Sequence, residues 1–86
     1  MTKSADYAKR HAEAQALTSY RIAGHKYLRI RYGDEVEEQG WVAALAHQGA
    51  PCGDCGVRRG ELHLPGCDLE QCPRCHGQAI SCECED

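Results

Sequence analysis

The sequence predicts a small α+β fold with an N-terminal helix, a β-hairpin and a compact cysteine-rich unit. An alanine-rich stretch opens the chain, a run of alternating apolar and basic residues follows it, and all seven cysteines lie after residue 51. The 86 residues include no Phe, one Trp and four Tyr, so core-forming side chains are few. A chain of this size buries only about 60–65% of its unfolded surface. It usually needs an additional stabilising element such as disulfides or metal ions.

Residues 4–18 are predicted to form the helix, because Ser4 suits a helix N-cap and alanine dominates the stretch that follows. Four alanines recur at three- and four-residue steps and form a shallow apolar stripe: Ala5, Ala8, Ala12 and Ala16. We expect this stripe to pack against the rest of the chain. Binding of the helix to a partner protein is the alternative.

Residues 19–32 are predicted to form a β-hairpin with its turn at residues 23–26. Apolar residues alternate with Arg29 and Arg31 in the second half, which predicts one apolar and one basic face. Three tyrosines lie among these cations, as they do in platforms for single-stranded nucleic acid. The candidate surface for nucleic acid or for a partner consists of Arg21, Lys26, Arg29 and Arg31.

The acidic stretch 34–40 is predicted to be solvated surface or the start of a helix. Residues 41–48 are predicted to form a short helix with Trp41 and Leu45 on one face. Gly and Pro then interrupt the chain at residues 49–51. We therefore divide the chain into a helix-and-hairpin arm, residues 1–50, and a cysteine-rich unit, residues 51–86.

The cysteine-rich unit contains eight residues at spacings typical of zinc ligands. They form four pairs, with spacings C-x2-C, H-x3-C, C-x2-C and C-x-C: Cys52 and Cys55, His63 and Cys67, Cys72 and Cys75, Cys82 and Cys84. Two tetrahedral zinc ions need eight ligands. Sites with four protein ligands leave no position open for a substrate. The pattern therefore predicts a zinc-stabilised α+β domain with two structural Zn²⁺ ions in a knuckle- or ribbon-like unit.

The four pairs can bind metal in three arrangements. Short connections of six or seven residues favour sequential sites, in which the first four ligands hold one ion and the last four hold the other. In an interleaved arrangement the two C-x2-C pairs would share one ion. In the third, a single ion takes both C-x2-C pairs and leaves the other four residues free.

The string C-P-R-C-H-G, residues 72–77, also resembles a c-type haem attachment motif and a thiol redox pair. A haem would need an axial partner, and the only methionine is Met1. The flanking segments do not fit the strand and helix of a thioredoxin-like unit. We therefore favour a zinc site for this string. His76 is expected to lie beside the site, and it is the spare ligand if Cys82 or Cys84 is free.

Residues 51–84 resemble a group of small, uncharacterised bacterial and phage-type zinc-binding proteins. Their pattern is P-C-x-D-C-G, then G-x-x-H-x-x-G-C-D-x-E, then C-P-x-C-x-G-Q-x-x-x-C-x-C. The similarity extends loosely to R-I-R-Y-G-D-E at residues 29–35. It implies zinc binding on the eight residues and no activity. This chain departs from the pattern at His76, where glycine is usual, and in a longer link around residues 41–50.

We expect a non-enzymatic protein-interaction or regulatory module. The P-C-x-x-C string at residues 51–55 lacks the preceding H-x-E of zinc deaminases. Seven thiolates subtract seven charges and two zinc ions add four, which takes the formal net charge from −3 to about −6. This charge disfavours the alternative, binding of single-stranded RNA or DNA. The start of the chain shows no apolar signal segment, so we expect a cytoplasmic protein without membrane contact. The partner and the oligomeric state do not follow from the sequence.

Overall fold

The computed structural model describes residues 2–84, with side chains from residue 6 onward. Its elements in chain order are helix α1 (Thr2–Ala16), strands β1 (Ser19–Ile22) and β2 (His25–Leu28), a 3-10 turn (Glu37–Gln39) and helix α2 (Gly40–His47). The remainder, including the whole cysteine-rich part, consists of turns and isolated bridges. With its two candidate metal-binding clusters, this arrangement confirms the predicted small α+β domain. No helix within residues 2–84 is long and apolar enough to cross a bilayer.

Helix α1 packs on the cysteine-rich part, but not through the predicted alanine stripe. Ala8, Ala12 and Ala16 are exposed, whereas Ala14 is only 1% exposed. Ala5 lies outside the side chains that the structure describes. The methyl group of alanine buries too little area to fix the orientation of a helix. Polar side chains with longer reach therefore decide which face turns inward.

Three polar contacts hold this inward face of α1. The Gln15 amide pairs with both backbone groups of Leu62, donating to its carbonyl and accepting from its N–H, each at 2.7 Å. His11 contacts the Glu61 carboxylate at 2.9 Å, and the Tyr7 hydroxyl donates to the carbonyl of Cys55 at 3.0 Å. Because these partners lie about fifty residues away along the chain, they fix α1 against the cysteine-rich part.

The β-hairpin forms where predicted, but it is shorter and turns differently. Tyr20 pairs with Tyr27 and Ile22 with His25, so the turn consists of Ala23 and Gly24. The regular strand ends at Leu28, which is 71% exposed. The next residue, Arg29, is 5% exposed. The prediction of an apolar face opposite a basic face is therefore wrong at these two positions.

Residues 31–32 join the arm to the cysteine-rich part. Arg31 forms an isolated antiparallel bridge with Leu62, and the N–H of Tyr32 donates to the Glu61 carbonyl at 2.9 Å. The N–H of Gly60 donates back to the Tyr32 carbonyl at 2.8 Å. Tyr32 itself is buried and its hydroxyl donates to the Ala50 carbonyl. This short pairing sets the position of the metal-ligand loops relative to the hairpin.

A single apolar cluster draws residues from both segments of the predicted division, 1–50 and 51–86. Its members are Ala14, Tyr32, Val42, Ala46, Cys52, Val57, Leu64 and Cys67. Helix α2 contributes one buried face, while Trp41 and Leu45 lie on its outer face, at 56% and 37% exposed. Since two predicted ligands, Cys52 and Cys67, belong to this cluster, folding of the arm and formation of the first metal site are coupled.

Candidate metal centres

The structure brings the eight predicted ligands together in two groups of four. Site 1 consists of Cys52, Cys55, His63 and Cys67. Site 2 consists of Cys72, Cys75, Cys82 and Cys84. Within each group the ligand atoms lie within 4.8 Å of one another, close enough for one ion. The grouping is the sequential one, and the interleaved arrangement does not occur.

Each site is built on one C-x2-C turn, and the two turns have the same backbone hydrogen bonds. In residues 52–57 the N–H of Cys52 donates to the carbonyl of residue 57 at 2.8 Å, and the N–H of residue 56 donates back to Cys52 at 2.9 Å. In residues 72–77 the equivalent bonds, from Cys72 to Gly77 and from His76 to Cys72, have the same lengths, 2.8 and 2.9 Å. The C-x2-C spacing therefore specifies a local structure that holds two thiols on one side of a tight turn.

The residue after the second cysteine of each turn adopts a left-handed conformation. Gly56 has a φ of +78° and His76 a φ of +65°. Glycine adopts this region without penalty, whereas a residue with a Cβ is strained there. His76 therefore occupies a position that favours glycine.

Site 1 is buried and its ligand atoms are closely spaced. The sulfurs of Cys52 and Cys67 lie 3.7 Å apart, and Nδ1 of His63 lies 3.6 Å from the Cys55 sulfur and 3.5 Å from the Cys67 sulfur. Cys52, Cys67 and His63 are at most 3% exposed. The Leu69 N–H also donates to the Cys67 sulfur at 3.4 Å, a contact that stabilises a thiolate.

The ring of His63 is held in one orientation by two buried neighbours, Glu35 and Tyr32. Its Nε2 lies 2.7 Å from Oε2 of Glu35, and both side chains are fully buried. The other oxygen of Glu35 accepts the N–H of Gly33 at 2.8 Å. The ring of Tyr32 packs edge-on against the imidazole, with centroids 5.4 Å apart. The carboxylate therefore fixes the proton on Nε2 and leaves Nδ1 for a metal.

The protonation of site 1 is set by contacts among its own groups. A hydrogen bond with Cys67 lowers the pKa of Cys55 to about 3, against the effect of burial. Burial lowers the pKa of His63, but hydrogen bonds with Cys55 and Glu35 outweigh it and raise the pKa to about 10. The hydrogen bond with Cys55 raises the pKa of Cys67. Without a metal, site 1 therefore favours a thiolate at Cys55 next to protonated neighbours. A metal cation takes the place of these protons when it binds, because its ligands must be deprotonated.

A buried ion pair lies between the two sites. Arg29 donates from Nε to the Glu70 carboxylate at 3.0 Å, and its terminal nitrogens donate to the carbonyls of Ala14, Leu17 and His63 at 2.6–3.0 Å. Tyr20 donates its hydroxyl to the same carboxylate, and the guanidinium lies 4.8 Å from the centroid of the Tyr20 ring. Because the carbonyl of His63 is one acceptor, this network ties a ligand of site 1 to the end of helix α1.

This network corrects the predicted cationic surface. Arg29 cannot contribute to it, because its guanidinium is buried and hydrogen-bonded on all sides. Arg21, Lys26 and Arg31 are exposed. Arg31 also donates to the Gly60 carbonyl at 3.0 Å, which directs it toward the cysteine-rich part. Three of the four predicted cations therefore remain exposed, and two of them, Arg21 and Lys26, lie in the hairpin.

Site 2 is more open than site 1. Cys72 is buried, Cys82 and Cys84 are half-buried, and Cys75 is exposed. The N–H of Gly77 donates to the Cys75 sulfur at 3.4 Å and lowers the pKa of that thiol. The Arg74 guanidinium lies 3.6 Å from the Cys84 sulfur and offsets part of the negative charge of four thiolates.

Two side chains attach site 2 to the acidic segment. The buried amide of Gln71 pairs with both backbone groups of Val36 at 2.9 Å and also donates to the His76 carbonyl at 2.7 Å. The imidazole Nδ1 of His76 contacts the Glu37 carboxylate. His76 is not among the four ligand-forming residues of site 2.

The residues that support the ligands were not predicted from the sequence. Glu35 belongs to the acidic stretch that was expected to be surface, and Gln15 and Gln71 carry no distinguishing pattern. Signals were available for Glu35 and Glu70. Glu35 lies in R-I-R-Y-G-D-E, to which the predicted resemblance extends loosely, and Glu70 is the last position of the string G-x-x-H-x-x-G-C-D-x-E.

Comparison with known protein families, with curated proteins and with solved structures finds no match for this chain. The resemblance to small zinc-binding proteins therefore stays a prediction.

Proposed function

We propose that this chain is a non-enzymatic protein-interaction module whose fold is held by two structural Zn²⁺ ions. The observation that carries the zinc assignment is the geometry of site 1. With Zn–S of about 2.3 Å and Zn–N of about 2.0–2.1 Å, a tetrahedron sets about 3.8 Å between two sulfurs and about 3.6 Å between sulfur and nitrogen. In site 1 the sulfurs of Cys52 and Cys67 lie 3.7 Å apart, and Nδ1 of His63 lies 3.5–3.6 Å from the sulfurs of Cys67 and Cys55.

The chemistry of the ligands also favours zinc in a structural role. Three thiolates and one imidazole, or four thiolates, are typical donor sets of structural zinc. The carboxylate of Glu35 on the outer nitrogen of His63 is the usual support for a zinc-bound histidine. Four protein ligands at each ion leave no position for a substrate or an activated water, which supports a role outside catalysis.

A role in protein interaction is supported by the surface. Large apolar side chains remain exposed in several elements, Trp41 at 56% and Ile80 at 51% among them. We favour a protein partner over single-stranded nucleic acid because Arg29, one of the four candidate cations, is buried. The metal-loaded chain also has a formal charge of about −6.

The zinc proposal is tested by native mass spectrometry and by chelation. We expect two zinc ions per chain and loss of circular dichroism and of the native Trp41 fluorescence after prolonged strong chelation, because binding of structural zinc supplies much of the folding free energy. A chain that keeps its fold without metal, or that binds fewer than two ions, contradicts the proposal.

The interaction proposal needs a separate test. Zinc-loaded protein is used to capture partners, and a captured protein counts only if it rebinds in purified form at a fixed stoichiometry and is released by chelation. Single-stranded oligonucleotides are titrated in parallel at low and high salt. Salt-sensitive oligonucleotide binding without any reproducible protein partner would favour nucleic acid and refute the proposal.

A further inference from the structure

A pocket of about 300 Å³ lies between the start of helix α2 and the second C-x2-C turn. We call it the Trp41 pocket. Its walls include Glu38, Gln39 and Trp41 from the arm, and Asp68 and His76 from the cysteine-rich part. Neither metal site uses Glu38, Trp41 or Asp68. The pocket is therefore a surface feature that the two sites and their supporting residues leave unexplained.

The Trp41 pocket is negatively charged. The carboxylates of Glu38 and Asp68 have no ion pair among the side chains that the structure describes, whereas Glu37 beside them is engaged by His76. The N-terminus of the short helix α2 contributes a partial positive charge of about half a unit at most. Two uncompensated carboxylates outweigh it, so the pocket attracts a cation.

Two further features of the walls favour a cation, and the exposed indole favours a flat one. Trp41 is 56% exposed, and an indole face attracts cations more strongly than the other aromatic rings do. Gln39 is 8% exposed, and its amide nitrogen donates to the Leu69 carbonyl at 3.1 Å. Its buried oxygen Oε1 has no donor among the described residues. The unpaired negative end of this amide adds to the field of the carboxylates.

We propose that the Trp41 pocket binds an arginine side chain of a partner protein. A guanidinium is planar, so it stacks on an indole, and its fork of donors pairs with carboxylates in a way that the ammonium of lysine does not. The inference rests on the proposed function as an interaction module and adds the chemistry of the partner.

The test uses the full zinc-loaded chain and a blocked pentapeptide, Gly-Gly-Arg-Gly-Gly, as probe. Binding is followed by the fluorescence of Trp41, the only tryptophan of the chain, and by amide and indole NMR shifts. The matched probe has citrulline in place of arginine, which keeps the shape and removes the charge. We expect the arginine peptide to shift signals at residues 38–41 and 68 and to bind at least roughly fivefold more tightly than the citrulline peptide.

The matched variants separate the pocket from general charge attraction. The double substitution Glu38→Gln with Asp68→Asn removes two charges in the pocket. The double substitution Asp6→Asn with Glu13→Gln removes two exposed charges on α1. We expect the first pair to abolish the preference for arginine and the second pair to leave it within about twofold, since the removed surface charges are screened.

Three results would overturn the proposal: equal binding of the two peptides, equal behaviour of the two double variants, or shifts that lie outside the pocket. Pocket shifts that appear with protein concentration alone would also overturn it, because they would assign the surface to a second copy of the chain. A purified partner that still binds while the peptide does not would refute the pocket and leave the interaction module intact.

Discussion

The carboxylate of Glu35 offers the sharpest test of how the fold supports the metal. In the substitution Glu35→Gln, shape is kept but only one oxygen remains. The native carboxylate accepts two donors, the N–H of Gly33 at 2.8 Å and Nε2 of His63 at 2.7 Å. A glutamine amide must turn its NH₂ group toward one of these donors. One buried donor then loses its acceptor, whichever way the amide is oriented.

The expected magnitude follows from these two contacts. A buried donor without an acceptor costs about 1–3 kcal/mol. Loss of the carboxylate on a zinc-bound histidine lowers metal affinity roughly 10- to 100-fold, which is about 1.4–2.7 kcal/mol. We expect Glu35→Gln to weaken zinc at site 1 by this factor and to leave site 2 unchanged, because Glu35 does not contact site 2 in the described structure.

The assay is competition with a chromophoric zinc chelator, with native mass spectrometry to count the ions that remain. At a free-zinc level that keeps two ions on the parent chain, the variant should carry one. Asp34→Asn is the matched control, since Asp34 is the exposed neighbour and loses the same charge. If Glu35→Gln retains two ions as tightly as this control, the carboxylate does not support the metal and the argument fails.

Three further predictions concern the turns and the second site. Gly33→Ala should destabilise the fold by more than Gly49→Ala in chemical denaturation. Both glycines have positive φ, which costs each alanine variant about 1–3 kcal/mol, but only at Gly33 would a Cβ also crowd a neighbour, the Cγ of Arg59 at 3.0 Å. Equal losses would exclude crowding. The variant His76→Gly should be more stable than His76→Ala by about 1 kcal/mol. Both variants lose the imidazole, and only glycine relieves the strain of the left-handed backbone at this position. Equal midpoints of the two variants in chemical denaturation would contradict this strain. Chelator should release the ion of site 2 before that of site 1, because Cys75 is exposed. Alkylation of the freed thiols, mapped by peptide mass, should therefore reach residues 72–84 first. Earlier alkylation of residues 52–67 would refute this order of release.

The sequence determined the two ligand sets because their geometry is local. A C-x2-C turn closes within six residues through its own backbone hydrogen bonds, as residues 52–57 and 72–77 both do. Short connections between successive pairs favoured the sequential grouping that the structure has. The existence of the helix and of the hairpin was also predictable from the sequence, but not which of their faces are buried.

Tertiary structure alone decided which polar residues are buried. Glu35 lies 28 residues from His63, Arg29 lies 41 residues from Glu70, and Gln15 lies 47 residues from Leu62. A buried carboxylate, guanidinium or amide is stable only when its partners arrive from elsewhere in the chain. The local pattern around each of these residues is that of an ordinary surface residue. The contacts that orient the ligands therefore became visible only once distant segments had been brought together.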